Sequence, residues 1–364
     1  MNIEQSVQPI TMQQALTKLI DGEGLSRVEA NHVMSFIMRG EATSSQIGAV
    51  ATALRMKGET KEEITGFAQA MRQHSSHLTT SNEGLLDTCG TGGSGIHKFN
   101  ISTASSIIAA AAGIRVAKHG NRAMSGKSGS ADVLEALGVN INLSPEQAEI
   151  CLDDIGICFM FAQLYHPSLR HAAAPRKELG IRTIFNMLGP LTNPAGADRQ
   201  LLGLFDRNRT ETIAAVLGEL QLKRALVVSS YDGLDEISIS APTQLSELKE
   251  NGTIETYSIT PEDLGLKRYD INQVMGGDAT VNAGLIQEVF AGKRQDAYRD
   301  IVLANAGACI YIGGLATSLQ AGVQQAAAVI DSGKAIQKLE QLILKTKEHE
   351  HVSRQNSSNE ATGS

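Results

Sequence analysis

Two glycine-rich loops contain the residues best suited to bind a phosphorylated ligand. The first loop, residues 90–100, follows a short apolar run and precedes an Ala-rich segment, residues 103–113. Glycine lets the backbone approach a ligand closely, and a glycine-rich turn that opens a helix presents free N–H groups to an anion. The second loop, residues 118–130, carries Lys118, His119, Arg122 and Lys127 with serines between them. Together the loops predict a site for a highly phosphorylated ligand.

Neither loop matches a common nucleotide-binding motif in full. Gly90, Gly92 and Gly95 fit G-x-G-x-x-G, but the acid that a dinucleotide site needs about 20 residues further on is missing from the basic stretch around Arg115. Residues 120–128 resemble a P-loop, but one residue too many separates the two glycines. Either loop alone could be an ordinary tight turn, whereas two loops with interleaved cations and hydroxyls favour phosphate binding.

Two further segments carry charged side chains that could serve binding. Residues 166–193 contain a cationic run, a pattern that normally lies on a solvated helix face. Asp235 and Glu236 are adjacent acids after a glycine turn, where a solvated loop end is the usual case. The residue types alone are compatible with ligand binding and with a solvent-exposed position for both segments. The cationic run consists of His166, Arg170, His171, Arg176, Lys177 and Arg182.

Short helices are predicted over residues 11–77, where apolar residues recur at helical spacing. Ser26 with Glu29, and Thr60 with Glu63, have the spacing of capping boxes. Nothing in this stretch indicates a strand, so we predict a small helical domain over residues 1–77. The polar residues 74–84 are typical of a linker.

From residue 85 onward, short apolar runs alternate with helical patterns. This alternation is typical of a mostly parallel sheet with crossover helices, so we predict an α/β domain over residues 85–348. Residues 305–330, rich in Ala and Gly, are expected to form closely packed helices, and the polar residues 349–364 a disordered tail. The predicted strands are residues 85–89, 116–118, 157–161, 201–204 and 225–229, with further strands within 236–259, and the predicted helices are residues 103–112, 131–137, 145–153 and 209–221.

Composition limits the class of protein. The 364 residues are enough for two domains or for one large domain with a smaller partner, and the 42% of apolar residues allow a sizeable core. The net charge of −7 argues against a general nucleic-acid surface. The four cysteines lack metal-binding or C-x-x-C spacing and are expected to act as small buried hydrophobes. No signal peptide and no apolar stretch of about 20 residues is present, so we expect no membrane partner and a cytoplasmic location.

The order of motifs resembles the anthranilate phosphoribosyltransferase family. The strings GTGG, FNIST, KHGNR, SGKSGSADVLEALG, GIRTIFNMLGPLTNPA and GLDEIS stand in the family's order along nearly the whole chain. The resemblance implies a small helical domain plus a larger α/β domain, with part of residues 171–194 packing on the helical domain. It also implies a homodimer formed through the helical domains. The implied activity transfers the phosphoribosyl group of phosphoribosyl pyrophosphate to the amine of anthranilate, releasing pyrophosphate, in tryptophan biosynthesis.

The resemblance assigns the substrate contacts residue by residue. Arg176 would bind the anthranilate carboxylate, because a planar guanidinium can donate two parallel hydrogen bonds to it, with Asn121 and Gly90 as further contacts. The implied contacts with phosphoribosyl pyrophosphate are Gly90, Gly93, Ser94, Lys98, Asn100, Ile101, Ser102, Thr103, Lys118, His119, Gly120, Asn121, Arg122, Ala123, Met124, Ser125, Gly126 and Ser130.

The resemblance also implies a metal site. Ser102, Asp235 and Glu236 would hold magnesium, with two Mg²⁺ ions implied, and hard oxygen ligands suit that ion. No covalent nucleophile is expected, since the aromatic amine is itself the nucleophile. Two roles for His119 remain: acid–base catalysis, or orientation and phosphate binding.

Two positions depart from the family pattern, and two other functions compete with it. Ser94 stands where the family usually has Asp, and Lys98 where it usually has Thr. Both changes would favour an anionic ligand if the side chains face it, whereas a charge in solvent contributes little. A pyrimidine nucleoside phosphorylase is disfavoured because its phosphate loop matches residues 118–132 poorly. A nucleic-acid-binding relative without transferase activity is disfavoured by the net charge of −7.

Overall fold

The computed structural model of the chain describes residues 10–92, 98–123 and 127–361, with side chains up to residue 348. The chain forms two compact units. One comprises Met1–Ser75 with His166–Thr192, and the other Ser76–Tyr165 with Asn193–Ser364.

The helices and strands are as follows in chain order. The helices are α1 (Met12–Ile20), α2 (Arg27–Met38), α3 (Ser44–Lys57), α4 (Lys61–Gln73), α5 (Ile101–Ala111), α6 (Ser130–Ala136), α7 (Pro145–Ile155), α8 (Ala162–Tyr165), α9 (Arg170–Leu179), α10 (Phe185–Leu188), α11 (Thr210–Glu219), α12 (Ala279–Phe290), α13 (Ala297–Ile312), α14 (Leu319–Asp331) and α15 (Lys334–Ala361). The strands are β1 (Leu85–Gly90), β2 (Arg115–Gly120), β3 (Ile157–Phe161), β4 (Arg199–Gly203), β5 (Arg224–Ser230), β6 (Thr243–Leu248) and β7 (Ile254–Ile259).

The first four helices of the helical unit all begin with a capping box. The predicted pairs Ser26–Glu29 and Thr60–Glu63 cap α2 and α4, and α1 and α3 have the same arrangement with glutamine as the second residue. Each box provides acceptors for backbone N–H groups that the first turn of a helix leaves unpaired. These local signals therefore set where the chain enters each helix.

The returning segment His166–Thr192 packs on these helices. Helix α9 contacts α2 and α3, and α10 contacts α4. The His171 ring lies so close to Gly40 that a Cβ there would be 2.7 Å from it. Arg72 Nε donates to the Leu191 carbonyl oxygen at 2.8 Å. A segment distant in sequence thus completes the helical unit.

The second unit is built on a seven-stranded sheet in the order β3-β2-β1-β4-β5-β6-β7. The pairs from β3 to β5 are parallel, whereas β6 and β7 are antiparallel additions. This confirms the predicted mostly parallel sheet with a helical N-terminal domain. Antiparallel pairing of β6 and β7 needs only short connections, because adjacent antiparallel strands do not require a crossover helix.

The main core lies between the sheet and the helices α5, α6 and α12 to α15. The helix pair α13 and α14 is packed so closely that a Cβ at Gly322 would overlap the Gly307 carbonyl oxygen. This agrees with the close packing expected of residues 305–330. No described helix is long and apolar enough to cross a membrane.

Two expectations differ from the structure. Helix α15 extends to Ala361, so most of the tail that we predicted to be disordered is helical. Cys151, Cys158 and Cys309 are buried as predicted, but Cys89 is only partly buried. Its thiol approaches the buried Asp87 carboxylate and the Gln200 side chain, so it belongs to a polar cluster rather than to an apolar core.

The crossing of α2 and α4 yields a stability prediction. A Cβ at the buried Gly66 would overlap the Arg27 carbonyl oxygen and lie 2.8 Å from the Ala30 Cβ. We expect Gly66→Ala to lower the free energy of unfolding by about 1–3 kcal/mol, because overpacking outweighs the better helix propensity of alanine. Gly48→Ala in α3, where no neighbouring atom lies within 4 Å, should instead stabilise by about 0.5–1 kcal/mol.

Chemical denaturation monitored by circular dichroism measures both variants. The prediction is wrong if Gly66→Ala is as stable as Gly48→Ala.

Candidate active site

The candidate site lies where the parallel strands β1 and β4 end. These two strands are neighbours in space, but β1 continues through α5 to β2 on its other side, so the sheet order reverses between them. Ligands of open α/β sheets bind at such a switch point, outside the carboxyl ends of the strands. Gly90 ends β1 and is paired with Gly203, which ends β4.

Asp235 packs directly on these two glycines. A Cβ at Gly90 would be 2.6 Å from Asp235 Oδ2, and one at Gly203 would overlap the Asp235 carbonyl oxygen. Gly92 N donates to Asp235 Oδ2 at 2.9 Å. The glycines therefore provide the space in which the acid pair Asp235 and Glu236 reaches the strand ends.

Lys98 is the immediate partner of this acid pair. Its Nζ lies 2.6 Å from Asp235 Oδ1 and 3.1 Å from Glu236 Oε1. The side chains of Asp235 and Glu236 are 2% and 7% exposed, and that of Lys98 is 16% exposed. The interpretation of Lys98 as a solvated surface charge is therefore wrong.

Burial and the ion pairs shift the three pKa values. Burial opposes charge on Lys98, but the attraction of Asp235 and Glu236 outweighs it and raises the pKa of Lys98. Burial would also raise the pKa of Asp235, yet Lys98 and the Gly92 N–H lower it below its ordinary value. Burial raises the pKa of Glu236, which Lys98 only partly offsets. The two neighbouring carboxyls thus differ in acidity.

The start of α5 is tied to the second loop. Asn100 Nδ2 donates to the Ser128 carbonyl oxygen at 3.2 Å, and Ser128 Oγ donates to Asn100 Oδ1 at 3.2 Å. Asn282 Nδ2 donates to the same Asn100 oxygen at 2.9 Å. Asn100 therefore joins the two loops that the sequence analysis treated separately.

Lys118, at the end of β2, is buried beside the first loop's helix. Its Nζ donates to the Thr88 carbonyl oxygen and lies 3.4 Å from Ser102 Oγ. The next residue, His119, is also buried, and its backbone N–H donates to Asp87 Oδ1 at 3.1 Å. Burial raises the pKa of Asp87, and the charge of Lys118 works against that rise.

Asp132 accepts hydrogen bonds from the backbone of the second loop. Asp132 Oδ2 accepts from Ala123 N at 2.9 Å and from Gly129 N at 2.8 Å. Arg122 forms ion pairs with Asp132 and Glu135, so its guanidinium is engaged by carboxylates in this structure. The Asn121 carbonyl oxygen accepts from Ser130 Oγ at 3.3 Å.

The remaining predicted contacts either pack within the structure, as Ile101, Thr103 and Gly120 do, or lie outside the described residues. The Ile101 side chain lies in the core and its N–H donates to the Phe99 carbonyl oxygen. Thr103 is fully buried. A Cβ at Gly120 would overlap Ser130 Oγ, so Gly120 is needed for the close approach of β2 and α6. Five predicted contacts lie outside the described residues: Gly93, Ser94, Met124, Ser125 and Gly126.

Arg176 belongs to the helical unit, in the last turn of α9. It is half-buried, its guanidinium lies 5.4 Å from the centre of the Phe185 ring, and burial lowers its pKa. Its ordinary pKa is so high that it stays charged at neutral pH. A guanidinium that stacks on an aromatic ring is oriented by that ring and keeps its hydrogen-bonding edge for a ligand.

The predicted magnesium site can be compared with the side chains that the structure brings together. No group of three or more His, Cys, Asp or Glu side chains arranged for a metal occurs among residues 10–92, 98–123 and 127–361. The acid pair nevertheless fits a cation, because two buried adjacent carboxylates already hold an ammonium between them. With few protein carboxylates, such a site suits Mg²⁺, which keeps several waters and takes phosphate oxygens as ligands.

Three supporting residues were not predicted. Asp87 holds the His119 backbone, Asp132 holds the second loop, and Asn282 fixes Asn100. Asp132 could have been recognised, since an acid three residues after Gly129 at the start of a predicted helix has the spacing of a capping acid. Asp87 and Asn282 had no comparable local signal.

The comparisons with known proteins agree with this fold. The family model described as "Glycosyl transferase family, a/b domain" matches residues 82–336, and that described as "Glycosyl transferase family, helical bundle domain" matches residues 13–75. The fold and the two family matches, which together span most of the chain, thus define an enzyme of the glycosyl transferase class.

Similar proteins narrow this class. The anthranilate phosphoribosyltransferase of Brevibacillus brevis is 54% identical over 326 residues, which cover 90% of this chain and 95% of that protein. The same enzyme of Moorella thermoacetica is 50% identical over 328 residues, covering 90% and 96%. The chain belongs to the anthranilate phosphoribosyltransferase family.

Solved structures show the same fold. The crystal structure of the Thermus thermophilus enzyme has a TM-score of 0.86 and 40% identity, covering 92% of this chain and 99% of that chain. The Saccharomyces cerevisiae enzyme, solved in complex with PRPP and Mg, has a TM-score of 0.85 at 24% identity, covering 93% and 98%. The fold is thus retained where the sequences have diverged.

The role of Asp132 can be measured. Asp132→Ala should lower the free energy of unfolding by about 1–3 kcal/mol at pH 7, because two backbone N–H groups lose a charged acceptor. Burial acts against the Asp132 charge, but the Ala123 and Gly129 N–H groups outweigh it and lower its pKa. Its contribution is therefore complete above the ordinary carboxyl pKa and is lost as the pH falls through the lowered value.

Glu135→Ala, which removes an exposed partner of Arg122, should change stability by no more than about 1 kcal/mol. Equal losses of unfolding free energy in the two variants at pH 7 would contradict the role given to Asp132. A loss in Asp132→Ala that does not change with pH would contradict it as well.

Proposed function

We propose that the protein transfers the 5-phosphoribosyl group of phosphoribosyl pyrophosphate to the amine of anthranilate and releases pyrophosphate. The observation that carries the proposal is the acid pair packed on glycines at the ends of β1 and β4, in a chain of this family. Two linked glycine-rich loops, the first of which contacts this pair through Gly92, support a ligand with several phosphate groups. The transfer supplies an intermediate of tryptophan biosynthesis.

The reaction exchanges one bond at the ribose C1 atom. The C1–oxygen bond to pyrophosphate breaks, the amine nitrogen bonds to C1, and the nitrogen loses one proton. Positive charge develops on the ribose and negative charge on the leaving group. Backbone N–H donors that are oriented before the reaction begins stabilise such a leaving charge, and we assign this role to the two glycine-rich loops.

The aromatic amine needs positioning more than activation. We assign Arg176 to the anthranilate carboxylate and Asn121 with Gly90 to the ring's other contacts. A correctly oriented nucleophile can account for a large part of a rate enhancement without a protein base. His119, whose backbone is fixed by Asp87, is proposed to orient rather than to take the amine proton.

Asp235, Glu236 and Ser102 are the proposed metal ligands. Mg²⁺ held there would supply positive charge against the diphosphate and the departing pyrophosphate. The yeast relative solved with PRPP and Mg supports the choice of ion. Binding of two ions, a homodimer formed through the helical units, and a cytoplasmic location are further proposals from the family resemblance.

The transfer is tested by anthranilate fluorescence. Purified protein with Mg²⁺ should deplete that fluorescence only when phosphoribosyl pyrophosphate is added, with release of one pyrophosphate for each anthranilate consumed. Full retention of fluorescence under these conditions would refute the proposed function.

The anthranilate contact gives a further prediction. Arg176→Ala should weaken anthranilate binding by about 1.5–3 kcal/mol, because a charge-assisted contact to the carboxylate is lost, and should change phosphoribosyl pyrophosphate binding little. Lys177→Ala is the matched control, since Lys177 is an exposed cation at the next position of α9. Titration calorimetry with each substrate separates the two effects, and equal weakening of both substrates by Arg176→Ala would contradict the assignment.

The metal ligands give another prediction. Asp235→Asn combined with Glu236→Gln should lower turnover at least about tenfold, a loss seen even for groups that only support a metal ligand, and should raise the Mg²⁺ requirement. Glu250→Gln, at an exposed turn, serves as the control. Activity is titrated against Mg²⁺ while circular dichroism checks the fold. An unchanged Mg²⁺ dependence would remove both acids from the site.

A further inference from the structure

The Lys98 ammonium occupies the position between the two carboxylates that we assign to the metal. Its Nζ contacts Asp235 Oδ1 and Glu236 Oε1 at 2.6 and 3.1 Å. It also lies 3.5 Å from the Asp235 carbonyl oxygen. The Lys98 ammonium thus contacts three oxygen atoms of the two acids, as a bound cation would.

We propose that Lys98 is an internal cation that neutralises Asp235 and Glu236 in the metal-free protein and must leave them when Mg²⁺ binds. This rests on the proposed function only in assigning the metal to these two acids. Lys98 then weakens metal binding at the site, and metal binding is coupled to release of the lysine side chain.

The two cations exclude each other for reasons of space and charge. Mg²⁺ takes its oxygen ligands at about 2.0–2.1 Å, so an ion bound to both carboxylates would lie in the space now occupied by Nζ. A divalent ion and an ammonium held a few ångströms apart in a buried site also repel each other strongly. One carboxylate pair therefore accommodates one of the two cations.

The lysine is the partner that can move. Asp235 is held by the Gly92 N–H and by its close packing on Gly90 and Gly203. The Lys98 backbone is held by a bridge to Met275, but its side chain is a flexible four-carbon stem that is more exposed than either acid side chain. Displacement therefore needs rotation of one side chain and no movement of the sheet.

Mn²⁺ binding in the absence of substrates tests the proposal directly. Free Mn²⁺ measured by electron paramagnetic resonance should give a dissociation constant at least about tenfold lower in Lys98→Met than in the wild type, within the usual range of coupling between two sites. Lys98→Arg, which keeps the charge, should not show this gain. Adding Asp235→Asn and Glu236→Gln to Lys98→Met should abolish the tight binding.

Thermal unfolding provides a second readout that is independent of activity. Metal-free Lys98→Met should melt below the wild type, because two buried carboxylates lose their cation, and MnCl₂ should restore much of the loss. Lys57→Met is the matched control. Lys57 forms a comparably buried pair with Glu63 at 2.9 Å in the helical unit, so its variant should also melt lower but should not be restored by Mn²⁺.

Equal or weaker Mn²⁺ binding in Lys98→Met would overturn the proposal, as would absence of Mn²⁺ binding in both proteins. The fluorescence assay separates this result from the proposed function. A wild type that is active while Lys98→Met shows unchanged Mn²⁺ affinity would refute the role of Lys98 alone. An inactive wild type with tightened Mn²⁺ binding in Lys98→Met would refute the transfer reaction and support the internal cation.

Discussion

The close packing of Asp235 on Gly90 and Gly203 is the constraint on which the site depends. Any side chain at either glycine would occupy space that the Asp235 carboxylate or carbonyl oxygen now fills. The sheet brings these glycines together because β1 and β4 are parallel neighbours in register at their ends. Asp235 follows Gly92 by 143 positions in the sequence. The sheet topology nevertheless places Asp235 and Glu236 at the switch point. The position of the site follows from the sheet topology, and its shape follows from the absence of a side chain at Gly90 and Gly203.

Burial of these acids creates an electrostatic requirement that the structure meets internally. A carboxylate removed from water is strongly disfavoured unless a cation or several hydrogen-bond donors accompany it. Asp235 has a cation, Lys98, and one backbone donor, the Gly92 N–H, whereas Glu236 has a longer contact with Lys98. The opposite pKa shifts of the two acids follow from this difference and from the negative charge of Asp235, which helps to raise the pKa of Glu236. Two residues adjacent in sequence thus differ in acidity because their hydrogen bonds and neighbouring charges differ.

Local sequence patterns could predict the elements but not most of the contacts between them. The capping pair Ser26–Glu29 and the alternation of apolar runs with helices depend on neighbouring residues, and both predictions are confirmed. The Lys98–Asp235 pair joins residues 137 positions apart, and the Asn100–Asn282 bond joins residues 182 apart, so no local pattern contains them. Family motifs identified the acid pair and the loops, but they did not indicate what Lys98 contacts. The helical tail was missed because composition alone suggested disorder, whereas α15 continues from a segment packed on the core.

The charges around Asp235 and Glu236 give a physical reason why the proposed metal ion would bind together with the substrate. Lys98 is paired with the two acids, and Lys118 is engaged by the Thr88 carbonyl oxygen and Ser102, near the buried Asp87. These two lysines therefore provide little uncompensated positive charge to a ligand with several phosphate groups. A polyanion that arrives alone would have to compete with carboxylates for Lys98. Under the metal assignment proposed above, a divalent ion bound to Asp235 and Glu236 would remove that competition, because it would neutralise the carboxylates itself and leave Lys98 available to the anion. Metal and substrate binding at this site are therefore expected to support each other through the same side chain.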